Sequence, residues 1–135
     1  MKRLLLVFFG GGVGSGARYL LAGWVARVAG SALPYGTISV NAIGSFLIAA
    51  IMYLSLTANV IGPDLRLALT TGVMGGFTTY STFNYESLSL FQQGAWLLGC
   101  LNIAVTLLLC LAAGAAGLLL ARWLAVQPWL GFSPG

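Results

Sequence analysis

Apolar stretches long enough to cross a bilayer follow one another almost without pause from Leu4 to Leu124, and this constrains the fold more than any motif does. A span needs about 20 mostly apolar residues. The stretches 4–28, 37–56, 65–90 and 95–124 each meet that length, with short connections between them. Hydrophobic residues make up 59% of the chain and charged residues 6%, too few to cover a soluble globule, in which about a quarter are charged. The expected architecture is therefore an all-α membrane protein: one domain over residues 1–135, with four transmembrane helices and a tail at 125–135. Pro128, Trp129 and Pro134 mark that tail as an interfacial or disordered end.

The same scarcity of polar groups excludes whole classes of function. There is no histidine, and the acids are Asp64 and Glu86 alone, so paired-carboxylate or histidine catalysis and His/Cys/carboxylate metal sites lack their parts. An enzyme is not expected. No basic run exceeds Lys2-Arg3, which leaves nucleic acid without an electrostatic footprint. Cys100 and Cys110 lie about 15 Å apart on one helix, beyond disulfide reach.

Within the first span, Gly12-Val13-Gly14-Ser15-Gly16-Ala17 mimics a dinucleotide-binding turn, but the acid required about twenty residues later is missing. Gly10/Gly14 and Gly12/Gly16 read better as two small-xxx-small pairs that admit a neighbouring helix. A cleaved signal peptide is the lesser reading of this segment, since no small-x-small cleavage site follows. Arg18 must snorkel, pair or face water, because a guanidinium inside a span costs at least about 2.5 kcal/mol.

Thr37, Asn41 and Ser45 recur every four residues on one face of the second span, and Asn102, Thr106 and Cys110 repeat the device on the fourth. Such faces are either interhelical glue or lines of hydrogen-bonding groups along a pore. The third span carries the most unusual stretch, TGVMGGFTTYSTFNYES from Thr71 to Ser87. Its hydroxyls and amides, placed after Gly75-Gly76, predict a helix broken at membrane depth, with the glycine pair supplying backbone angles closed to other residues. Four helices leave no room for an aqueous pore inside one protomer, so a pathway would lie where protomers meet. Lys2, Arg3, Arg66 and Arg122 against Arg27 favour termini in the cytoplasm.

Taken together, GTISVNAIGSF (Gly36 to Phe46), GVMGGFTTYSTFNYE (Gly72 to Glu86) and the glycine-rich first helix ending in GARY (Gly16 to Tyr19) resemble the Fluc family of fluoride channels, also called CrcB. That resemblance implies a fluoride-selective channel in the bacterial inner membrane that lowers cytoplasmic fluoride by passive export. It implies an antiparallel, dual-topology homodimer with two fluoride pathways and a structural sodium ion on the two-fold axis, held by backbone carbonyls of Gly75 and Thr78. The paired aromatic rings of the family fall on Tyr80, where phenylalanine is more usual, and Phe83. Ring edges carry partial positive charge and can meet an anion. Asn41, Thr37, Thr82, Asn102, Thr106 and Cys110 are the matching pathway positions, with Arg18 and Glu86 at the vestibules. The alternative is a small proton-coupled multidrug exporter, for which Glu86 would be the embedded carboxylate.

Overall fold

The structure, a computed structural model, describes residues 1–30 and 32–127; residues 128–135 of the expected tail lie outside the described residues. Its elements are α1 (Lys2–Ala29), α2 (Tyr35–Leu56), α3 (Pro63–Leu67), a π-helical segment (Ala68–Met74), α4 (Gly75–Phe77), α5 (Tyr80–Gln92) and α6 (Trp96–Ala125). Among the described residues, α1, α2 and α6 are long and apolar enough to cross a membrane. The route from Pro63 to Gln92 is made in pieces, and no single piece has that length. Chain direction alternates along these four passages, joined by turns that positive-φ residues allow: Gly30 at φ 82° after α1 and Gly94 at φ 76° before α6. Glycine takes such angles without steric cost.

Backbone proximity, more than large side chains, holds the bundle together. A Cβ at Gly10 would come within 2.8 Å of the Ala68 carbonyl oxygen, and one at Gly14 would collide with the backbone of Val73. Gly76 sits equally hard against the backbone of Gly11, Gly36 against that of Ala22, and Gly117 against that of Phe46. Without a hydrophobic driving force between helices in lipid, this closeness supplies the dispersion contact that replaces it. Only one of the two expected small-residue pairs on α1 serves this purpose. Gly10 and Gly14 are packed, while nothing lies within 4 Å of a Cβ built at Gly12 or Gly16. The buried apolar core is small, with Val40, Met74 and Phe77 at its centre and Leu21, Ile51 and Val73 beside it. Leucines of α1 and α6 face outward along with Trp24, Trp96 and Trp123. Tryptophans near helix ends suit the bilayer interface, so this outer surface fits lipid.

The interruption of the third passage differs from the expectation in position and in cause. Gly75 is ordinary helix at φ −62°, ψ −38°. Extended backbone begins at Thr78 (φ −84°, ψ 158°) and continues through Thr79 (φ −150°, ψ 114°), after which α5 starts afresh. These angles are open to any residue, so the glycine pair is not needed for them. Gly76 instead buys the approach of α1, and the helix has already been loosened by the π turns before it. At the membrane face where α1 begins, Lys2 donates to Asp64 at 2.7 Å and Arg3 stands 3.7 Å from the same carboxylate. The Lys2 hydrogen bond, with the charge behind it, holds the Asp64 carboxyl below the usual carboxylate range.

Candidate functional site

The centre of the site is the backbone of Thr79. Its N–H donates to Asn41 Oδ1 at 2.8 Å, and its carbonyl accepts from Asn41 Nδ2 at 3.0 Å. One buried amide side chain on α2 thus replaces the two helical bonds that extended backbone gives up, which is what makes such backbone tolerable where water is absent. Thr79 then caps α5. Its Oγ1 accepts the Thr82 N–H at 3.3 Å and donates to Thr82 Oγ1 at 3.0 Å.

The carbonyls of Gly75 and Thr78 are among those that lose their usual partners as a result. In a continuous helix the N–H groups of Thr79 and Thr82 would go to the carbonyls of Gly75 and Thr78, four residues earlier. Here they go to Asn41 and to the Thr79 hydroxyl. Thr78 secures its own place separately, since its N–H and its hydroxyl both donate to the Met74 carbonyl at 2.9 Å. Its methyl group lies so close to Gly44 that a Cβ there would collide with it. Freed carbonyl oxygens suit a hard cation. Among the described residues no cluster of His, Cys, Asp or Glu offers ligands to a metal of another kind.

A cavity of about 300 Å³ opens beside this backbone, and Asn41, Tyr80, Phe83, Thr106 and Cys110 line it together with Ser45. Five expected pathway residues from three helices therefore meet in one place. None of the residues lining it is charged. The rings of Tyr80 and Phe83 have centroids 5.8 Å apart at 54°, with Phe83 8% exposed and Tyr80 77% exposed. Both rings also border a second cavity of about 220 Å³ on the side of Ser87 and Phe91.

Thr37, Thr82 and Glu86 are found elsewhere, lining a cavity of about 550 Å³ at the end of the bundle formed by Pro34 and Gln93. There Thr37 Oγ1 donates to Glu86 Oε1 at 2.8 Å. The face of α2 is accordingly not one row of free donors. Thr37 serves Glu86, Asn41 serves Thr79, and the Ser45 hydroxyl turns back to the Asn41 carbonyl at 2.7 Å. Arg18 is half-buried, lines neither cavity and makes no ion pair among the described residues, so the structure does not bring it to Glu86.

Asn102, expected beside Thr106 in the pathway, is completely buried, and its Nδ2 donates to Ser87 Oγ at 2.9 Å. Ser87 in turn donates to the Phe83 carbonyl at 2.8 Å. This relay fixes α6 to the ring-bearing turn of α5. Thr79 and Ser87 are the two residues that sequence reasoning missed as site builders. Thr79 had a signal, a threonine directly ahead of a helical run, which is a usual N-cap; Ser87 had none.

Fold and site together define a small multi-pass helical membrane protein with an uncharged, hydrogen-bonding cleft around an interrupted passage. Residues 5–118 match the family model described as CrcB-like protein, Camphor Resistance (CrcB). Among curated relatives, the protein named fluoride-specific ion channel FluC from Anaeromyxobacter dehalogenans is 55% identical over 125 residues, covering 93% of this chain and 99% of its own. Proteins of the same name from Sorangium cellulosum (48% over 122 residues, 90% and 96% covered) and Geobacter sulfurreducens (46% over 124 residues, 92% and 100% covered) are similar along nearly their whole lengths. The chain belongs to the CrcB family and is a multi-pass protein of the cell membrane.

Proposed function

We propose that this protein conducts fluoride passively across the membrane, as the names of its relatives state for them. The observation that carries the reading is the cavity of about 300 Å³ in which Asn41, Tyr80, Phe83, Thr106 and Cys110 converge without a charged residue. A small, strongly hydrated anion needs several donors to replace its water, and it leaves readily only where no deep countercharge traps it. The relatives carry a channel name, so the exporter alternative is not favoured.

The working unit in this reading is an antiparallel homodimer with two pathways. Ser81, Thr82, Asn84 and Tyr85 are exposed on α5, as is Gly75 just before the interruption. Lipid cannot receive such a face, and a second copy of the chain covers it. The freed carbonyls of Gly75 and Thr78, contributed by both copies, are the groups that would hold a sodium ion on the axis. Bound there, the cation supplies fixed positive potential near the passing anion.

The test is ion release from liposomes containing the purified protein. Fluoride is expected to leave rapidly without a coupling ion gradient while chloride is retained. Equal release of the two anions would overturn the reading.

A further inference from the structure

The first turns of α1 form a second feature, on a side of the bundle that the cleft does not use. Between them and the start of the Ala68–Met74 segment runs an open groove of about 550 Å³. Its floor is backbone, because Gly10 has no side chain and Ala68 only a methyl; the two chains approach until a Cβ at Gly10 would lie 2.8 Å from the Ala68 carbonyl oxygen. Its walls include Leu5, Phe9 and Val13, all of them exposed. Lys2 stands at one end, and no other residue lining the groove has a polar side chain. From Lys2 to Val13 the helix rises about 16 Å, close to half of the roughly 30 Å hydrocarbon core. The groove thus has the depth of one leaflet, charged where headgroups lie and apolar below.

The charged end carries a surplus. Lys2 Nζ lies 2.7 Å from Asp64 Oδ2 and Arg3 Nε 3.7 Å from Asp64 Oδ1, so two exposed cations share one carboxylate and one positive charge is left over. A zwitterionic headgroup brings no net charge to meet it, whereas an anionic one does. A second copy of the chain is less suited to this rim. Its acidic side chains are Asp64, already shared in the same way, and Glu86, which lies in another cavity and accepts from Thr37. We propose that the groove binds an anionic phospholipid: one acyl chain lies on Gly10 and Ala68 between the apolar walls, and Lys2 and Arg3 hold the phosphate. A guanidinium carries N–H donors beyond Nε, so Arg3 can keep Asp64 and still reach phosphate oxygens. The acyl chain needs no hydrogen bond below that level, and it supplies the dispersion contacts that Gly10 and Ala68 leave unmade.

The test is photolabelling of the full-length protein in phosphatidylcholine vesicles that contain a minor share of phosphatidylglycerol. The probe is one or the other lipid, each bearing the same diazirine acyl chain at the same concentration, and labelled residues are located by peptide mass spectrometry. Phosphatidylglycerol is expected to label Leu5, Phe9 and Val13 about fivefold more than phosphatidylcholine does, the preference that one uncompensated cation near the surface supplies. Lys2→Gln combined with Arg3→Gln is expected to remove that preference. Both positions are exposed, so the packing of the bundle is left alone, and the wild-type comparison stands without the variant. Equal labelling of the wild-type groove by the two probes would reduce it to ordinary surrounding lipid and overturn the proposal. A preference unchanged in the double variant would overturn it too. So would label that spares the groove while marking other outward faces, since a second copy of the chain would then cover it.

Discussion

Asn41 shows how much one residue's meaning depends on its partners. On the helix face it reads as a donor offered to a passing ion, but its amide commits a donor and an acceptor to the backbone of a single residue, Thr79. Phe83 is the opposite case, because its carbonyl accepts from Ser87 while the ring remains against the cleft. Replacing Phe83 by isoleucine keeps apolar bulk and removes the positive ring edge. Phe83→Ile is expected to abolish or greatly slow fluoride release while size-exclusion chromatography still shows the assembled protein. Normal release by Phe83→Ile would make the ring core packing and nothing more. Tyr80→Phe is expected to conduct, since the Tyr80 hydroxyl makes no hydrogen bond among the described residues and the ring stays in place.

At the scale of elements, α1 and the passage that packs on it approach closely because glycine is matched to backbone there. Gly14 and Gly12 lie on the same helix, two residues apart, and make opposite forecasts. Gly14→Leu would drive a side chain into the Val73 backbone and is expected to destabilise the bundle by several kcal/mol, read as a lowered unfolding midpoint in detergent. Gly12→Leu meets open space within the protomer and is expected to leave that midpoint nearly unchanged. A large loss for Gly12→Leu would show that a second copy of the chain packs there. The all-helical class was legible from hydrophobic length, and α1, α2 and α6, the three helices long and apolar enough to span among the described residues, lie in three of the apolar stretches. The position of the interruption was not, because Gly75-Gly76 carries the stronger local signal for irregular backbone. The extended residues are Thr78 and Thr79, selected by Asn41 from a different helix and by a threonine cap.

For the whole molecule, the freed carbonyls and the exposed polar face of α5 make a joint forecast about assembly. If a shared sodium ion is bound by Gly75 and Thr78, prolonged removal of sodium is expected to reduce fluoride release and weaken the dimer, with both restored on its return. Unchanged release in rigorously sodium-free liposomes would leave the interruption as packing geometry and remove the ion from the account.

What the sequence determined by itself was the solvent, the helical class, the near absence of charged chemistry and a set of polar and aromatic residues on the helix faces. These follow from hydrophobic length, residue inventory and helical periodicity, all of which are local properties of the chain. Tertiary structure alone decided how that set divides. It gathered Asn41, Tyr80, Phe83, Thr106 and Cys110 around one cavity, sent Thr37, Thr82 and Glu86 to another, and tied Asn102 to Ser87. The reason is the cost of an unpaired polar group away from water, which makes each donor take whichever acceptor packing brings within about 3 Å. That choice depends on contacts between helices distant in the chain, and a one-dimensional pattern does not contain them.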